Sequence, residues 1–330
     1  MGLLSGIYGI VLRIARLLKK PKTLPYKVIS IGNITLGGTG KTPAVIALAE
    51  EAKRRGFQPC ILTRGYKGKA KGPCFVTKGE EPLLDVSQAG DEAYLMSEAL
   101  SGVVIIKCAD RYEGGMFALN SQLLTLNSQL IFILDDGFQH CQLNRDKDIV
   151  LIDATNPFDN GKLFPEGRLR EPLSALKRAD IIVLSKTDMT NEKRITACIG
   201  KIKRHNADAP IYSSSHVPAA LMSASGEAES LDTLKERRVY AFSGIANPSH
   251  FEALLTSMGA EVVKSKRFRD HHHYQQGDID KIIKEAGGMD IITTEKDMVK
   301  LKGLTLPDNI FALRIKFLID GNFYDDIFGK

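Results

Sequence analysis

No aspartate or glutamate occurs before Glu50, whereas Arg13, Arg16, Lys19, Lys20, Lys22, Lys27 and Lys41 all do. The surplus behind the net charge of +6 therefore sits at the N-terminal end. It is continued by Lys53-Arg54-Arg55 and by the stretch Arg64–Lys71, and it calls for an anionic partner: a phosphate, a nucleic acid or an acidic lipid surface. The five cysteines contain no C-x-x-C pair and no zinc-type spacing, which argues against a cysteine metal centre and fits reduced thiols in a cytosolic setting. The uncharged run from Met1 ends at Arg13, too short to span a bilayer. There is no internal repeat, no low-complexity tract and no long Gly/Ser/Pro linker. With 43% hydrophobic and 25% charged residues over 330 positions, the composition is that of an ordinary soluble protein, long enough for two domains.

Within residues 1–20, Leu3, Ile7, Ile10, Ile14 and Leu17 step by four and three, with Leu4, Tyr8, Val11, Ala15 and Leu18 beside them. This makes one broad apolar helical face. Gly2, Gly6, Gly9, Arg13, Arg16 and Lys20 lie opposite. The pattern predicts a membrane-associating helix lying in the interface, its cations toward anionic headgroups. A first helix packed on the protein's own core is the alternative. A cleaved signal peptide fits less well, because the charge follows the apolar stretch.

After Pro21 and Pro25, short apolar runs alternate with amphipathic stretches, the signature of a parallel sheet with crossover helices. Strands are expected at Val28–Ile31, Cys60–Thr63, Val103–Ile106, Ile131–Leu134, Ile149–Asp153 and Ile181–Leu184. Helices are expected at about Pro43–Arg55, Asp91–Leu100 and Glu192–Lys203. The fold class is α/β, a doubly wound, mostly parallel sheet of the P-loop NTPase type. A boundary near His216-Val217-Pro218 divides a kinase domain, 21–215, from a smaller α/β domain, 216–330, expected to close over the active site.

Thr35-Leu36-Gly37-Gly38-Thr39-Gly40-Lys41-Thr42 follows the first strand and opens a helix. Glycines let backbone N–H groups approach phosphate oxygens at a helix N-terminus, Lys41 would reach the β and γ phosphates, and Thr42 would put its hydroxyl on magnesium. Thr35 stands where that motif usually has glycine. Asp135-Asp136 ends an apolar strand, the arrangement that supplies magnesium's acidic partner. Asp91-Glu92 opens a helix after Gly90, which serves either the helix N-terminus electrostatically or proton acceptance from an attacking hydroxyl. Asp270-His271-His272-His273 reads either as a solvated loop or as a histidine that tunes a catalytic carboxylate from across a cleft. Spacing alone leaves both pairs of readings open.

These residues resemble the tetraacyldisaccharide 4'-kinases of lipid A biosynthesis over nearly the whole chain. The carriers are Ile31–Pro43, Thr63-Arg64-Gly65-Tyr66, Gly90-Asp91-Glu92, Ala109-Asp110-Arg111, Leu134–His140, Leu163-Phe164-Pro165, Leu169–Leu173, Phe242–Pro248, Asp270-His271-His272 and Thr294-Glu295-Lys296-Asp297. The family looks like T-x-G-G-T-G-K-T at the loop, which accounts for Thr35. The resemblance implies transfer of the ATP γ-phosphate to the 4'-hydroxyl of a tetraacyldisaccharide 1-phosphate, giving lipid IVA. The work would be done by a monomer at the cytoplasmic face of a Gram-negative inner membrane, with no nucleic-acid partner. It further implies ATP on Thr35, Gly37, Gly38, Thr39, Gly40, Lys41 and Thr42, and Mg2+ on Thr42, Asp135 and Asp136. Asp91 would be the base with His271 as its partner, and Lys41 the catalytic cation. Asn33, Arg64, Tyr66, Glu92, Arg111, Gln139, His140 and Arg170 would be substrate or nucleotide contacts.

One rival is a P-loop switch or partitioning ATPase or GTPase, favoured by the glycine-rich loop and by Ser185-Lys186-Thr187-Asp188, which resembles a guanine-reading segment. It leaves Asp91-Glu92 and Asp270-His271 unexplained. A nucleic-acid binder built on Arg64–Lys71 lacks interleaved aromatics beyond Tyr66 and Phe75.

Overall fold

The computed structural model describes residues 5, 8, 9, 20–121 and 129–329. Ser5, Tyr8 and Gly9 are helical, and the Ser5 hydroxyl donates to the Leu163 carbonyl at 2.8 Å. The rest of the expected interfacial helix lies outside the described residues. No helix among the described residues is long and apolar enough to cross a membrane.

Among the described residues thirteen strands form one sheet: β1 Lys27–Asn33, β2 Gln58–Thr63, β3 Cys74–Lys78, β4 Val104–Lys107, β5 Leu130–Asp135, β6 Lys147–Asp153, β7 Ile181–Ser185, β8 Ile211–Ser223, β9 Ala228–Glu229, β10 Arg238–Ser243, β11 Glu261–Arg267, β12 Asp290–Thr294 and β13 Ile310–Ile319. The order is β11-β10-β12-β13-β8-β7-β6-β1-β5-β2-β4-β3, with β9 paired to β8. All pairings are parallel except β3–β4, β8–β9 and β8–β13. Crossovers use α1 Lys41–Arg54, α2 Asp91–Ala99, α3 Arg111–Asn120, α4 Glu192–Lys203, α5 Pro248–Ser257 and α6 Gln276–Ala286, and α7 Gly321–Phe328 returns at the end.

Alternation along each strand explains why both faces of the sheet are covered. In β5, Ile131 and Ile133 face the cluster that holds Val45, Leu48, Ala49 and Ala52 of α1, while Leu130, Phe132 and Leu134 face the opposite cluster. The α1 residues recur at i, i+3, i+4 and i+7, one stripe of a helix. Each fully buried Leu, Ile or Phe contributes about 1.5–3 kcal/mol of hydrophobic stabilisation.

β8 and β13 join the two ends of the sheet as a long antiparallel ribbon. β8 pairs β7 through Ile211–Ser214 and β13 from Ser214 onward. The register shifts between Arg314 and Ile315, opposite Pro218. A proline cannot donate to a ladder and is accommodated at such irregularities, which bend and twist the strand. Beyond the ribbon, the segments after β10 and β12 come to face the loop after β1 and helix α2: Ala246 lies beside Gly38, and Lys302 reaches Glu98 at 2.6 Å.

Gly32, in the central strand below the glycine-rich loop, has no room for a side chain. A Cβ there would lie 2.6 Å from Phe138 Cβ and 2.7 Å from its backbone nitrogen. Gly32→Ala is expected to cost about 1–3 kcal/mol, read as a lowered Tm with the fold retained; an unchanged Tm would contradict the close approach.

Candidate active site

The parallel strands β1, β2, β5, β6 and β7 end along one edge, where ligands of open α/β sheets bind. β1 delivers Asn33, fully buried, whose Nδ2 donates to the Thr35 carbonyl at 2.8 Å and to the Thr39 hydroxyl at 3.0 Å. One side chain thus spans the glycine-rich loop. From outside, the Ser185 hydroxyl donates to the Thr39 carbonyl at 2.9 Å and Lys186 Nζ to the Gly38 carbonyl at 2.7 Å. Gly37 and Gly40 take left-handed φ of 119° and 85°, and α1 starts at Lys41 with no side-chain cap. The N–H groups of its first turn therefore lack a capping side chain and face the loop, the arrangement that binds anions.

β5 ends on Asp135 and Asp136, which the surroundings treat differently. Asp136 takes Arg170 in a two-pronged contact, at 2.7 and 2.9 Å, and Lys41 Nζ at 3.5 Å. Burial works to raise its pKa, but Lys41, Arg170 and Arg111 outweigh it and hold the carboxyl well below the usual range. Asp135 accepts the Thr63 hydroxyl at 2.8 Å through Oδ2, while its buried Oδ1 has no hydrogen-bond partner. Burial pushes Asp135 up to about 6, and the charges of Glu92 and Asp136 add to the push. A buried carboxylate oxygen with no donor, beside a second carboxylate and the first turn carrying Thr42, suits a hard cation. Mg2+ commonly takes one or two carboxylates plus phosphate oxygens. Among the described residues no group of three or more His, Cys, Asp or Glu could hold a metal.

Asp91 opens α2 after Gly90, whose φ of 91° and lack of Cβ let the Tyr66 carbonyl approach; a Cβ would sit 2.5 Å from it. Asp91 is only 6% exposed, and its Oδ2 lies 2.7 Å from His271 Nδ1. Burial works to raise the Asp91 pKa, but the His271 hydrogen bond, the charge His271 carries when protonated, and Lys296 hold it at about 2. Of the three adjacent histidines, only His271 reaches the carboxylate. Its φ of 59° turns it to the cleft, whereas His272 bonds Asp278 at 3.1 Å and stacks on Phe268.

The other expected residues fall into two groups. Arg170 also donates to Asn33 Oδ1 at 3.0 Å, Gln139 Nε2 donates to the Asn33 carbonyl at 2.8 Å, and buried Arg111 donates to the Asp135 carbonyl at 3.3 Å. These frame the acidic end of β5. His140 lies just beyond, its N–H on the Gly137 carbonyl. Arg64 and Tyr66 are exposed, and the Tyr66 ring meets the His271 ring edge-on at 5.5 Å. Glu92 faces Lys296 at 3.3 Å. Sequence reasoning gave no role to Lys296 or to Glu171, which accepts from Gln139 Nε2 at 3.1 Å and from Arg178 at 3.0 Å, and did not place Lys186 as a support of the loop. Lys186 stood in a segment singled out for another chemistry, and Lys296 in a motif without a stated part.

A cradle of this kind holds a nucleotide's phosphates, and a carboxylate paired with histidine beside it can take the proton of an acceptor hydroxyl; the class is that of the P-loop kinases. The family model for tetraacyldisaccharide-1-P 4'-kinase matches residues 1–328. A Halothermothrix orenii protein named tetraacyldisaccharide 4'-kinase is 40% identical, the match covering 97% of this chain and 89% of that protein. One from Syntrophus aciditrophicus is 39% identical over 93% of this chain and 86% of its own. The crystal structure of an Aquifex aeolicus member, in complex with ATP, superposes with a TM-score of 0.78 at 33% identity, covering 98% of this chain and 96% of that one. The chain belongs to the tetraacyldisaccharide 4'-kinase family, and the switch or partitioning reading is not favoured.

Asp135 carries a pH signature. An acid whose pKa rises from 3.8 on folding stabilises the native state below that value, and the contribution is lost as pH climbs through about 6. Asp135→Asn keeps an acceptor for Thr63. It is expected to raise Tm at about pH 7.5 and to leave it unchanged near pH 4. A lowered Tm at the higher pH would contradict the charge burden.

Proposed function

We propose that the protein transfers the γ-phosphate of ATP to the 4'-hydroxyl of a tetraacyldisaccharide 1-phosphate, forming lipid IVA. The observation that carries the proposal is the 2.7 Å pairing of Asp91 with His271 beside the phosphate loop. The loop backbone, Lys41 and Thr42 hold the phosphates of ATP. Magnesium, when bound, would neutralise charge between β and γ oxygens; Thr42, Asp135 and Asp136 are the residues to hold it. Arg170, now forked onto Asp136, has the planar geometry that suits a phosphate as well as a carboxylate.

The acceptor hydroxyl gives its proton to Asp91 as its oxygen bonds to the γ-phosphorus and the bond to the β–γ bridging oxygen breaks, leaving ADP. With a pKa of about 2, Asp91 is ionised throughout the working range but is a weak base. Phosphoryl transfer tolerates this, because its transition state is loose and depends mainly on positioning. Arg64 and Tyr66, both exposed and Tyr66 edge-on to the His271 ring, suit the acceptor. Arg111, Gln139, His140 and Arg170, which frame the acidic end of β5, suit the nucleotide and its transferring phosphate, whereas buried Asn33 would serve it through the loop and Glu92 through its pairing with Lys296.

Residues 21–215 would form the kinase unit and 216–330 the unit that closes on it, since His271 and Asp91 belong to different ones. Closure would complete the site and exclude water. The acid-free, basic N-terminal segment supports a peripheral site at the cytoplasmic face of the inner membrane, and monomeric action needs no second subunit at the cleft.

The test is phosphorylation of a tetraacyldisaccharide 1-phosphate from labelled ATP, with product mapped to the 4' position. Asp91→Ala is expected to lower kcat at least about 100-fold with the ATP KM little changed, the scale of a lost general base. Lys41→Ala should impair both parameters. Wild-type turnover in Asp91→Ala would refute the base assignment.

A further inference from the structure

Lys296 has no part in the reading above, yet its ammonium lies 3.4 Å from His271 Nε2, 3.3 Å from Glu92 Oε1 and 3.6 Å from Asp270 Oδ1. An ammonium has three donors and no acceptor, and an ionised carboxylate has acceptors only. His271 lies between one of each. Its Nε2 is nearer that ammonium than the Asp270 carboxylate, 3.9 Å away, so the neutral ring accepts at Nε2 and carries its proton at Nδ1, facing Asp91.

We infer that Lys296 is a positioning residue for phosphoryl transfer: it fixes the His271 ring in the tautomer whose Nδ1–H points at Asp91, and through Glu92 it holds that pair in register across the cleft. The inference rests on the reading of Asp91 as the base.

Three further features carry it. Lys296 and Asp297 leave the same short helix, Glu295–Met298, capped by the Thr294 hydroxyl on the Asp297 N–H at 3.1 Å. Asp297, fully buried, accepts the Gly244 N–H at 2.9 Å, and the Gly244 carbonyl accepts the His271 N–H at 3.2 Å. One turn thus grips His271 twice, by its ring and by its backbone, and a left-handed residue persists only where its surroundings determine it. Glu92 also adds to the negative charge felt by Asp135, so its pairing with Lys296 links the dyad to the acidic end of β5. Burial works against the Lys296 charge, but Glu92, Asp270 and Asp91 hold the amine above its ordinary pKa, so the donor persists at working pH.

The test compares Lys296→Met, Lys296→Arg and Lys302→Met in the full-length enzyme, with kcat, the ATP KM and two-bond 15N–1H spectra of the histidine rings, His271 being assigned through His271→Gln. Lys302 spans the same cleft, to Glu98 at 2.6 Å and Tyr94 at 3.1 Å, without touching the dyad. It controls for a purely structural clasp. Wild type is expected to show His271 protonated at Nδ1 and bare at Nε2. Lys296→Met should lose that pattern and about 10- to 100-fold in kcat with the ATP KM within about twofold, the usual scale for a group that orients another. Lys296→Arg should recover part of both, and Lys302→Met should keep near-wild-type kcat. An unaltered ring spectrum in Lys296→Met, or an equal kcat loss in Lys302→Met, would overturn the inference. Asp91→Ala tells the two readings apart: if it collapses while Lys296→Met turns over normally, only the Lys296 inference falls, whereas full activity in Asp91→Ala removes the base reading beneath it.

Discussion

Asp91 and His271 are 180 positions apart in the chain and 2.7 Å apart in the fold, and most of the architecture can be understood as what that contact requires. A buried carboxylate with no partner would take up a proton and cease to be an acceptor. His271 keeps it ionised, and His271 can do so only because the β8–β13 ribbon turns the second half of the sheet back toward the first. Gly90 and the Tyr66 loop fix one side of the contact, and Gly244, Asp297 and Lys296 fix the other. The pair proposed to accept the proton is thus assembled by the packing of both halves, while the glycine-rich loop belongs to one.

The cradle follows a different logic. It is built locally: Asn33, Ser185 and Lys186 hold the carbonyls of the loop, the Leu36 and Thr39 N–H groups go to the Arg168 and Gly37 carbonyls, and the N–H groups of the first turn of α1 are left without a capping side chain. The strain is concentrated at the end of β5, where Asp135 and Asp136 crowd together and burial splits them: Asp136 is held ionised by Lys41 and Arg170, and Asp135 is pushed toward neutrality. A fold selected for stability alone would place neutral groups there. Sequences that break local rules in this way do so at functional sites.

What was legible in the sequence divides along the same line. Strands and helices with strong local periodicity, such as β5, β7, α1 and α4, were readable to within a few residues, and so was the loop, because a strand, three glycines and a helix are adjacent in the chain. β8 and β13 were not. Ser213-Ser214-Ser215 and Pro218 give β8 no apolar alternation, and its stability comes from partners about a hundred residues away. The choice among His271, His272 and His273 was equally closed to pattern reading, since it depends on one left-handed backbone angle. Lys296 escaped because its partner Glu92 is 204 positions distant.

The claim at the centre is that Asp91 and His271 act as one unit across the cleft. The most direct measurement is a double-mutant cycle on kcat with Asp91→Asn, His271→Gln and the double variant, using ATP and a tetraacyldisaccharide 1-phosphate. Residues that work as a unit give strongly non-additive losses. The account predicts a double variant no slower than the slower single one; losses that multiply would show two independent residues and contradict it.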